Sequence, residues 1–125
     1  MNEPELDLRR DALAGQIDRF TEYLRVERRA AALTVETYAR DLEALRAYSL
    51  RERMPADAVK LDLLALRSFL AALVPENAPA TIARKIAALR SFYRFLMKRG
   101  SITVNPAAAL RLPKVARKLP RFLSV

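Results

Sequence analysis

Apolar residues recur along this chain at spacings of three and four residues, the pattern of helices that bury one face. The longest segment of this kind spans residues 79–100. Its apolar stripe consists of Ile82, Ile86, Leu89, Tyr93 and Leu96. Pro79 suits the first position of a helix, and Gly100 is typical of the position just after a helix end. The pattern predicts one long helix, with Asn77 or Ala78 as N-cap and Asn77 offering the better capping side chain.

Two earlier segments carry the same spacing and predict a first helix over residues 11–28 and a second helix beginning at Thr34. The apolar stripe of the first helix is Leu13, Ile17, Phe20 and Leu24. The stripe of the second is Val35, Tyr38, Leu42, Leu45 and Ser49. The Thr34 hydroxyl suits an N-cap, and Leu33 before it is placed to pack on Tyr38 as a hydrophobic staple.

A third helix, Leu63–Leu73, is predicted after Asp62, whose carboxylate suits an N-cap. Its leucines and Phe69 make it apolar on most sides, which predicts the most buried element of the fold. Near the C-terminus, Asn105 and Pro106 predict a short helix over residues 105–110, followed after Pro113 by an extended basic segment. The chain is therefore predicted to be all-α, with four main helices, a short C-terminal helix and an extended basic linker.

Charge is distributed unevenly along the 125 residues, which carry a net charge of +9. Residues 1–76 contain 12 Lys and Arg against 14 Asp and Glu, a net charge of −2. Residues 77–125 contain 11 Lys and Arg and no acidic residue, a net charge of +11. Because this charge covers a predicted folded helix as well as a tail, it indicates a polyanionic partner such as DNA, RNA or an anionic membrane surface.

Cysteine and histidine are both absent from the sequence. Disulfides, thiolate metal sites and a cysteine nucleophile are thereby excluded, together with the commonest general base and metal ligand. No apolar run approaches the roughly 18 residues of a membrane span, and the acidic N-terminus does not resemble a signal peptide. We therefore expect a soluble cytoplasmic chain with no cofactor and no membrane partner.

Two of the predicted helices carry cations at both ends of a face whose centre holds small residues. On the fourth helix this face consists of Arg84, Ala87, Ala88, Ser91, Arg94 and Lys98, with Thr81 and Arg99 at its edge. On the second it consists of Thr37, Arg40, Ala44, Ala47 and Arg51. Small residues let a backbone approach a large partner while the cations reach outward, an arrangement that fits a DNA groove.

Each polar residue on these faces has a predicted role at a duplex. Threonine hydroxyls and free backbone N–H groups near helix starts are expected to bind phosphates, and cations to reach phosphates or guanine edges. The predicted DNA-binding residues are Thr34, Thr37, Arg40, Arg51, Thr81, Arg84, Lys85, Ser91, Arg94 and Lys98. Lys114, Arg117 and Lys118 are expected to follow the DNA backbone from the linker. For Arg90, at the edge of the buried stripe, DNA contact and internal pairing are equally open.

Three other interpretations of the basic faces remain open at this point. The first is that the faces are simply solvated, as charged helix faces usually are. The second is a helical protein–protein interaction module, which Phe95 favours as an aromatic residue on the otherwise polar side of the fourth helix. General RNA binding is a further possibility, although a platform of exposed aromatic residues is lacking.

Four stretches, taken in order, resemble the N-terminal core-binding domain of tyrosine recombinases, the phage-integrase family, and most closely its bacterial Xer-type members. They are FTEYLRVERRAAALTVETYARDL at 20–42, ATIARKIAALRSFYRFL at 80–96, ITVNPAAALRLPK at 102–114 and KLPRFLSV at 118–125. The segment RAAAL at 29–33 departs from these relatives, which often have a glycine-containing turn, and leaves the geometry of this turn open.

The resemblance implies a SAM-like domain of four main helices in two crossed pairs that clamps one face of duplex DNA. In this family the second and fourth helices enter or border the major groove. It further implies three regions: a loose leader at 1–10, the core-binding domain at 11–112, and an interdomain linker with the start of a missing catalytic domain at 113–125. The expected partners are double-stranded DNA, that C-terminal domain and sister recombinase subunits.

The family's catalytic residues lie in the C-terminal domain, so no catalytic residue is expected here. None of Tyr23, Tyr38, Tyr48 and Tyr93 matches the nucleophilic tyrosine. The resemblance implies that the parent protein exchanges strands between paired half-sites through a tyrosyl–DNA intermediate, while this part does not cleave DNA. Its role would be chromosome dimer resolution at cell division, or integration of a phage or transposon.

Overall fold

The computed structural model describes residues 11–114 of the chain. Its helices are α1 (Ala12–Val26), α2 (Ala32–Arg51), α3 (Leu63–Leu73) and α4 (Pro79–Lys98), with a 3₁₀ turn at Val74–Glu76. Over this range the only extended pairing is an isolated bridge between Asp11 and Ala56. The predicted all-α fold with four main helices is confirmed.

The predicted helix starts are right where an aspartate precedes the helix. The Asp62 carboxylate accepts a hydrogen bond from the Ala65 N–H at 2.9 Å and caps α3. Asp11 caps α1 in the same way. By contrast, α2 begins before Thr34, with Ala31 as its N-cap, because Ala32 and Leu33 are good helix formers and extend the helix by two residues. The predicted staple is also wrong, since Leu33 is 71% exposed.

Two helices end in Schellman motifs. Gly100, at φ 77°, follows α4, and the Ser101 N–H returns to the Leu96 carbonyl at 3.0 Å. Arg53 takes the equivalent left-handed position after α2, at φ 58°. Asn77 does not cap α4. Its side-chain amide instead donates at 2.8 Å to the carbonyl of Leu73, the last residue of α3.

The core centres on α4 rather than on α3, contrary to the prediction. Nine residues of α4 are buried, against three of α3, where Leu64 is 73% exposed. Both α1 and α2 pack on α4, so its buried arc covers half of the helix circumference instead of a narrow stripe. On one flank of this arc the Tyr93 hydroxyl donates to the Ala58 carbonyl at 2.9 Å and ties the α2–α3 loop to the core.

Residues 105–110 form two successive turns instead of the predicted short helix. The Asn105 carboxamide oxygen accepts from the Ala107 N–H at 2.8 Å, which closes the first turn, and the Leu110 N–H bonds back to Ala107. Arg90 donates to the Leu110 carbonyl at 2.6 Å, so the structure gives Arg90 an internal contact. The predicted linker contacts Arg117 and Lys118 lie outside the described residues, whereas Lys114 is exposed.

Candidate nucleic-acid interface

A surface cleft of about 360 Å³ lies between the end of α1, the start of α2 and the C-terminal half of α4. We call it the basic cleft. It is lined by Phe20, Tyr23, Leu24, Arg28, Ala30, Thr34, Tyr38, Ser91, Arg94, Phe95 and Lys98. Four of the predicted DNA-binding residues, Thr34, Ser91, Arg94 and Lys98, therefore meet in one place, although they come from two different helices.

The lining of the basic cleft carries three cations and no carboxylate. Lys98 Nζ lies 6.0 Å from the centroid of the Tyr23 ring. The neighbouring cations Arg28 and Lys98, Arg28 the more strongly, stabilise the Tyr23 phenolate, and they lower its pKa despite the opposing effect of burial. Since a phenolate is an anion, this lowered pKa indicates a local environment that favours negative charge.

The start of α2 adds to the electropositive character of the cleft. Its N-cap is Ala31, which has no side-chain acceptor for the first N–H groups of the helix. Thr34, in the first turn, presents an exposed hydroxyl beside them. Unsatisfied N–H groups at a helix start carry partial positive charge and bind anions such as phosphate.

The remaining predicted residues of α2 lie along the helix outside the cleft. Arg40 is exposed and Thr37 is half-buried. Arg51, at the far end of the helix, has its guanidinium 5.6 Å from the centroid of the Tyr48 ring and 3.7 Å from the Glu52 carboxylate. Of the two arginines, Arg51 is engaged by Tyr48 and Glu52, so Arg40 is the cation more open to a partner.

Three predicted positions on α4 are more enclosed than the sequence suggested. Lys85 is buried and donates to Asp41 Oδ1 at 2.9 Å, so the expectation that it reaches outward is wrong. Ala88 is fully buried and cannot serve as a surface for close approach. Thr81 is half-buried in the first turn. Ala88, which the sequence pattern had placed on the outer face, falls on a flank of the wide buried arc, and Lys85 falls within this arc.

Arg84 remains partly exposed but is not a free cation. It donates from Nε to Asp41 Oδ2 at 3.1 Å and from Nη2 to Asp41 Oδ1 at 2.8 Å. Its side chain is 45% exposed, against 1% for Asp41. Burial alone would raise the pKa of the Asp41 carboxyl, but the hydrogen bonds from Arg84 and Lys85 outweigh it and lower the pKa.

Phe95 is buried at 4% exposure and does not form an exposed aromatic anchor. Its ring centroid lies 4.9 Å from that of Tyr23 and 5.5 Å from that of Phe20. The Arg99 guanidinium covers its outer side at 5.1 Å. The observation that favoured a protein-interaction module is therefore removed.

Sequence reasoning missed Arg28 and Tyr23 as cleft residues and Asp41 as the partner of Arg84. Arg28 is the last residue of the predicted first helix, and the structure places it two residues after the end of α1 at Val26. Asp41 is separated from Arg84 by 43 positions in the chain. A helical periodicity carries no information about such distant pairs.

The family model described as phage integrase, N-terminal SAM-like domain, matches residues 17–100, which is more than half of the chain. The chain belongs to this family. Within the SAM-like domain the matched range covers most of α1 and all of α2, α3 and α4. All ten predicted DNA-binding positions outside the linker therefore lie inside the family match.

Curated relatives agree with this membership. A tyrosine recombinase XerC of Xanthomonas axonopodis pv. citri (strain 306) is 40% identical over 119 residues, covering 87% of this chain and 39% of the relative. XerC of Xylella fastidiosa (strain 9a5c) is 43% identical over 108 residues, covering 86% and 36%. XerC of Oceanobacillus iheyensis (strain DSM 14371) is 38% identical over 108 residues, covering 86% and 35%. The chain thus spans little more than a third of these relatives, and no solved structure gives a significant match.

The SAM-like domain of this chain turns between α1 and α2 without glycine. Arg29 adopts φ 50° there, in the left-handed region that glycine tolerates best.

Residues 11–114 contain no group of side chains suited to a metal ion. They also contain no helix that is long and apolar enough to cross a membrane.

Proposed function

We propose that this chain is the DNA-binding N-terminal part of a site-specific tyrosine recombinase and that it holds one side of a DNA duplex. One observation carries the proposal: the basic cleft joins Thr34 of α2 to Ser91, Arg94 and Lys98 of α4 in a pocket with three cations and no carboxylate. The names of the curated relatives, tyrosine recombinase XerC, support the same assignment.

The basic cleft would receive a backbone phosphate. Arg28, Arg94 and Lys98 supply the charge that attracts it, and the N–H groups at the start of α2 supply directed hydrogen bonds. The hydroxyls of Thr34 and Ser91 offer shorter-range contacts that fix its position. Such phosphate contacts set the register of a protein on DNA and carry no sequence information by themselves.

The exposed half of α4 is long enough to span the width of a DNA major groove. Arg84 and Lys98 are 14 residues apart, which corresponds to about 21 Å along a helix axis. A major groove is about 12 Å wide, so cations at the two ends of this face can reach phosphates on both of its edges. Arg40 on α2 would extend the contact to a neighbouring phosphate. Lys85 is left out of this interface because it is buried and paired.

For the whole recombinase, we propose strand exchange between paired half-sites through a tyrosyl–DNA intermediate. The nucleophile and its supporting residues would come from a C-terminal catalytic domain, and sister subunits would complete the assembly on DNA in the cytoplasm. Chromosome dimer resolution is the proposed role, with integration of a mobile element as the alternative within the family.

Charge reversal in the cleft tests the proposal. The double variant Arg94→Glu with Lys98→Glu should lower the affinity for a labelled mixed-sequence duplex by at least about tenfold, measured by fluorescence anisotropy. The control, Lys60→Glu with Arg67→Glu, makes the same change in net charge at exposed positions outside the cleft. If both variants lose the same affinity, the cleft is not the contact surface and the proposal fails.

A further inference from the structure

A buried carboxylate, that of Asp41, lies at the contact between α2 and α4, next to the exposed half of α4. The Asp41 side chain is 1% exposed and accepts three hydrogen bonds, two from Arg84 and one from Lys85. Three charged donors of this kind are sufficient to compensate the loss of water around a buried carboxylate. Two cations thus surround one anion, and the cluster carries a surplus positive charge.

Lys85 is placed to neutralise Asp41 from inside the fold. Its side chain is 10% exposed, and its Nζ lies 2.9 Å from Asp41 Oδ1. A buried ammonium needs a counter-charge, and Asp41 is the carboxylate that supplies it within residues 11–114. The Lys85–Asp41 pair is therefore balanced by itself, and the surplus charge belongs to Arg84.

Arg84 is held on one side and open on the other. A guanidinium has five N–H donors, and Asp41 engages one on Nε and one on Nη2. The two donors on Nη1 and the second donor on Nη2 have no acceptor within the described residues 11–114. With 45% of the side chain exposed, these three donors are accessible to an external acceptor.

We infer that Asp41 is a positioning residue that fixes the Arg84 guanidinium at the α2–α4 contact, so that its three remaining donors are already ordered when they meet a DNA phosphate. This inference rests on the proposed function. A long side chain loses rotamer freedom when it binds, and an arginine that is already held loses less. The negative charge of Asp41 does not cancel the benefit, because Lys85 neutralises it.

A double-mutant cycle on duplex binding separates positioning from a purely structural role. The background variant Asp41→Asn with Lys85→Met removes one negative and one positive charge and leaves the net charge unchanged. In the natural chain, Arg84→Ala should weaken duplex binding by about fivefold or more; in the background variant it should weaken binding by less than about twofold. A loss of the same size in both backgrounds would overturn the inference.

Arg94→Ala is the matched control, because Arg94 lines the basic cleft and has no bond to Asp41 among the described residues. It should cost the same affinity in both backgrounds. If Arg84→Ala leaves the natural chain unchanged while Arg94→Ala weakens it, Arg84 is outside the interface; the positioning inference is then overturned and the proposed function stands. If neither substitution matters, the proposed function fails as well.

A second measurement on the unmodified chain keeps the inference testable if the background variant does not fold. In a ¹⁵N-arginine NMR spectrum, the Arg84 Nε–H should exchange with water more slowly than the Arg94 Nε–H, both before and after duplex is added. Equal exchange rates for the two arginines would show that Asp41 does not hold Arg84, and the inference would be overturned.

Discussion

Lys98 Nζ lies 6.0 Å from the centroid of the Tyr23 ring, so the last turn of α4 and the C-terminal part of α1 meet at the basic cleft. Arg28 approaches the same phenol and is the larger cause of its lowered pKa. The pKa of Tyr23 therefore reports the electrostatic potential in the basic cleft.

The pKa of Tyr23 should rise when either cation is removed, because the phenolate loses stabilisation. Arg28→Gln should raise it more than Lys98→Gln. Saturating duplex DNA should also raise it, since a phosphate in the cleft neutralises the cations. A pH titration followed by NMR of ¹³Cζ-labelled tyrosine measures the shift, and Tyr23→Phe identifies the resonance. A Tyr23 pKa unaffected by DNA would place the phosphate elsewhere.

Arg94→Ala should weaken duplex binding and reduce the salt dependence. Loss of one phosphate contact lowers the magnitude of the log–log slope of affinity against salt by about 0.9. Thermal stability should change little, since Arg94 is exposed and makes no ion pair within residues 11–114. Arg67→Ala on α3 is the matched control and should leave the slope unchanged. Equal slopes for the Arg94 and natural proteins would remove Arg94 from the interface.

Asp41 should stabilise the fold at neutral pH and lose that effect in acid. Its pKa in the folded chain is below the ordinary value of 3.8, so the unfolded chain takes up the proton first as pH falls. The stabilisation is complete above about pH 5 and decreases as pH falls through the lower folded value. Urea unfolding of the natural chain and of Asp41→Asn with Lys85→Met should show a difference in stability that shrinks in this acid range. A difference independent of pH would contradict the ion-pair description.

Arg53→Gly should stabilise the fold. Arg53 sits at φ 58°, where a residue with a Cβ is strained by about 1–2 kcal/mol, and glycine removes this strain at a smaller entropic cost. The expected gain is about 0.5–1 kcal/mol, a rise of about 2–6 °C in the melting temperature. Glu52→Gly is the control, since Glu52 has an ordinary φ of −90° and should lose stability. A lower melting temperature for Arg53→Gly would contradict the Schellman geometry.

The sequence predicts features that depend on near neighbours. Asp62 and Gly100 mark helix boundaries because a cap acts within one turn, and both boundaries agree with the structure. Thr34 does not mark the start of α2, because Ala32 and Leu33 before it are good helix formers and belong to its first turn. The periodicity of α4 correctly gives part of its buried face, because the whole predicted stripe, including Ile82 and Tyr93, is buried.

The width of the buried face of α4 could not be predicted, since it depends on how many helices pack against it. Two neighbours bury Lys85 and Phe95, which a single neighbour would have left at the surface. The sequence identifies residues of the basic cleft, such as Thr34 and Arg94, on separate helices. It does not predict that they lie close together, because their proximity arises from the tertiary fold. The roles of all these residues at DNA remain predictions.

Duplex binding as a function of salt tests the central claim most directly. The chain is titrated against labelled duplex and single-stranded DNA of mixed sequence by fluorescence anisotropy. We predict tighter binding to duplex, with a log–log salt slope of about −4 to −5 if about five phosphates are contacted. A folded chain that binds neither DNA at low salt, or that prefers the single strand, would contradict the duplex-holding account.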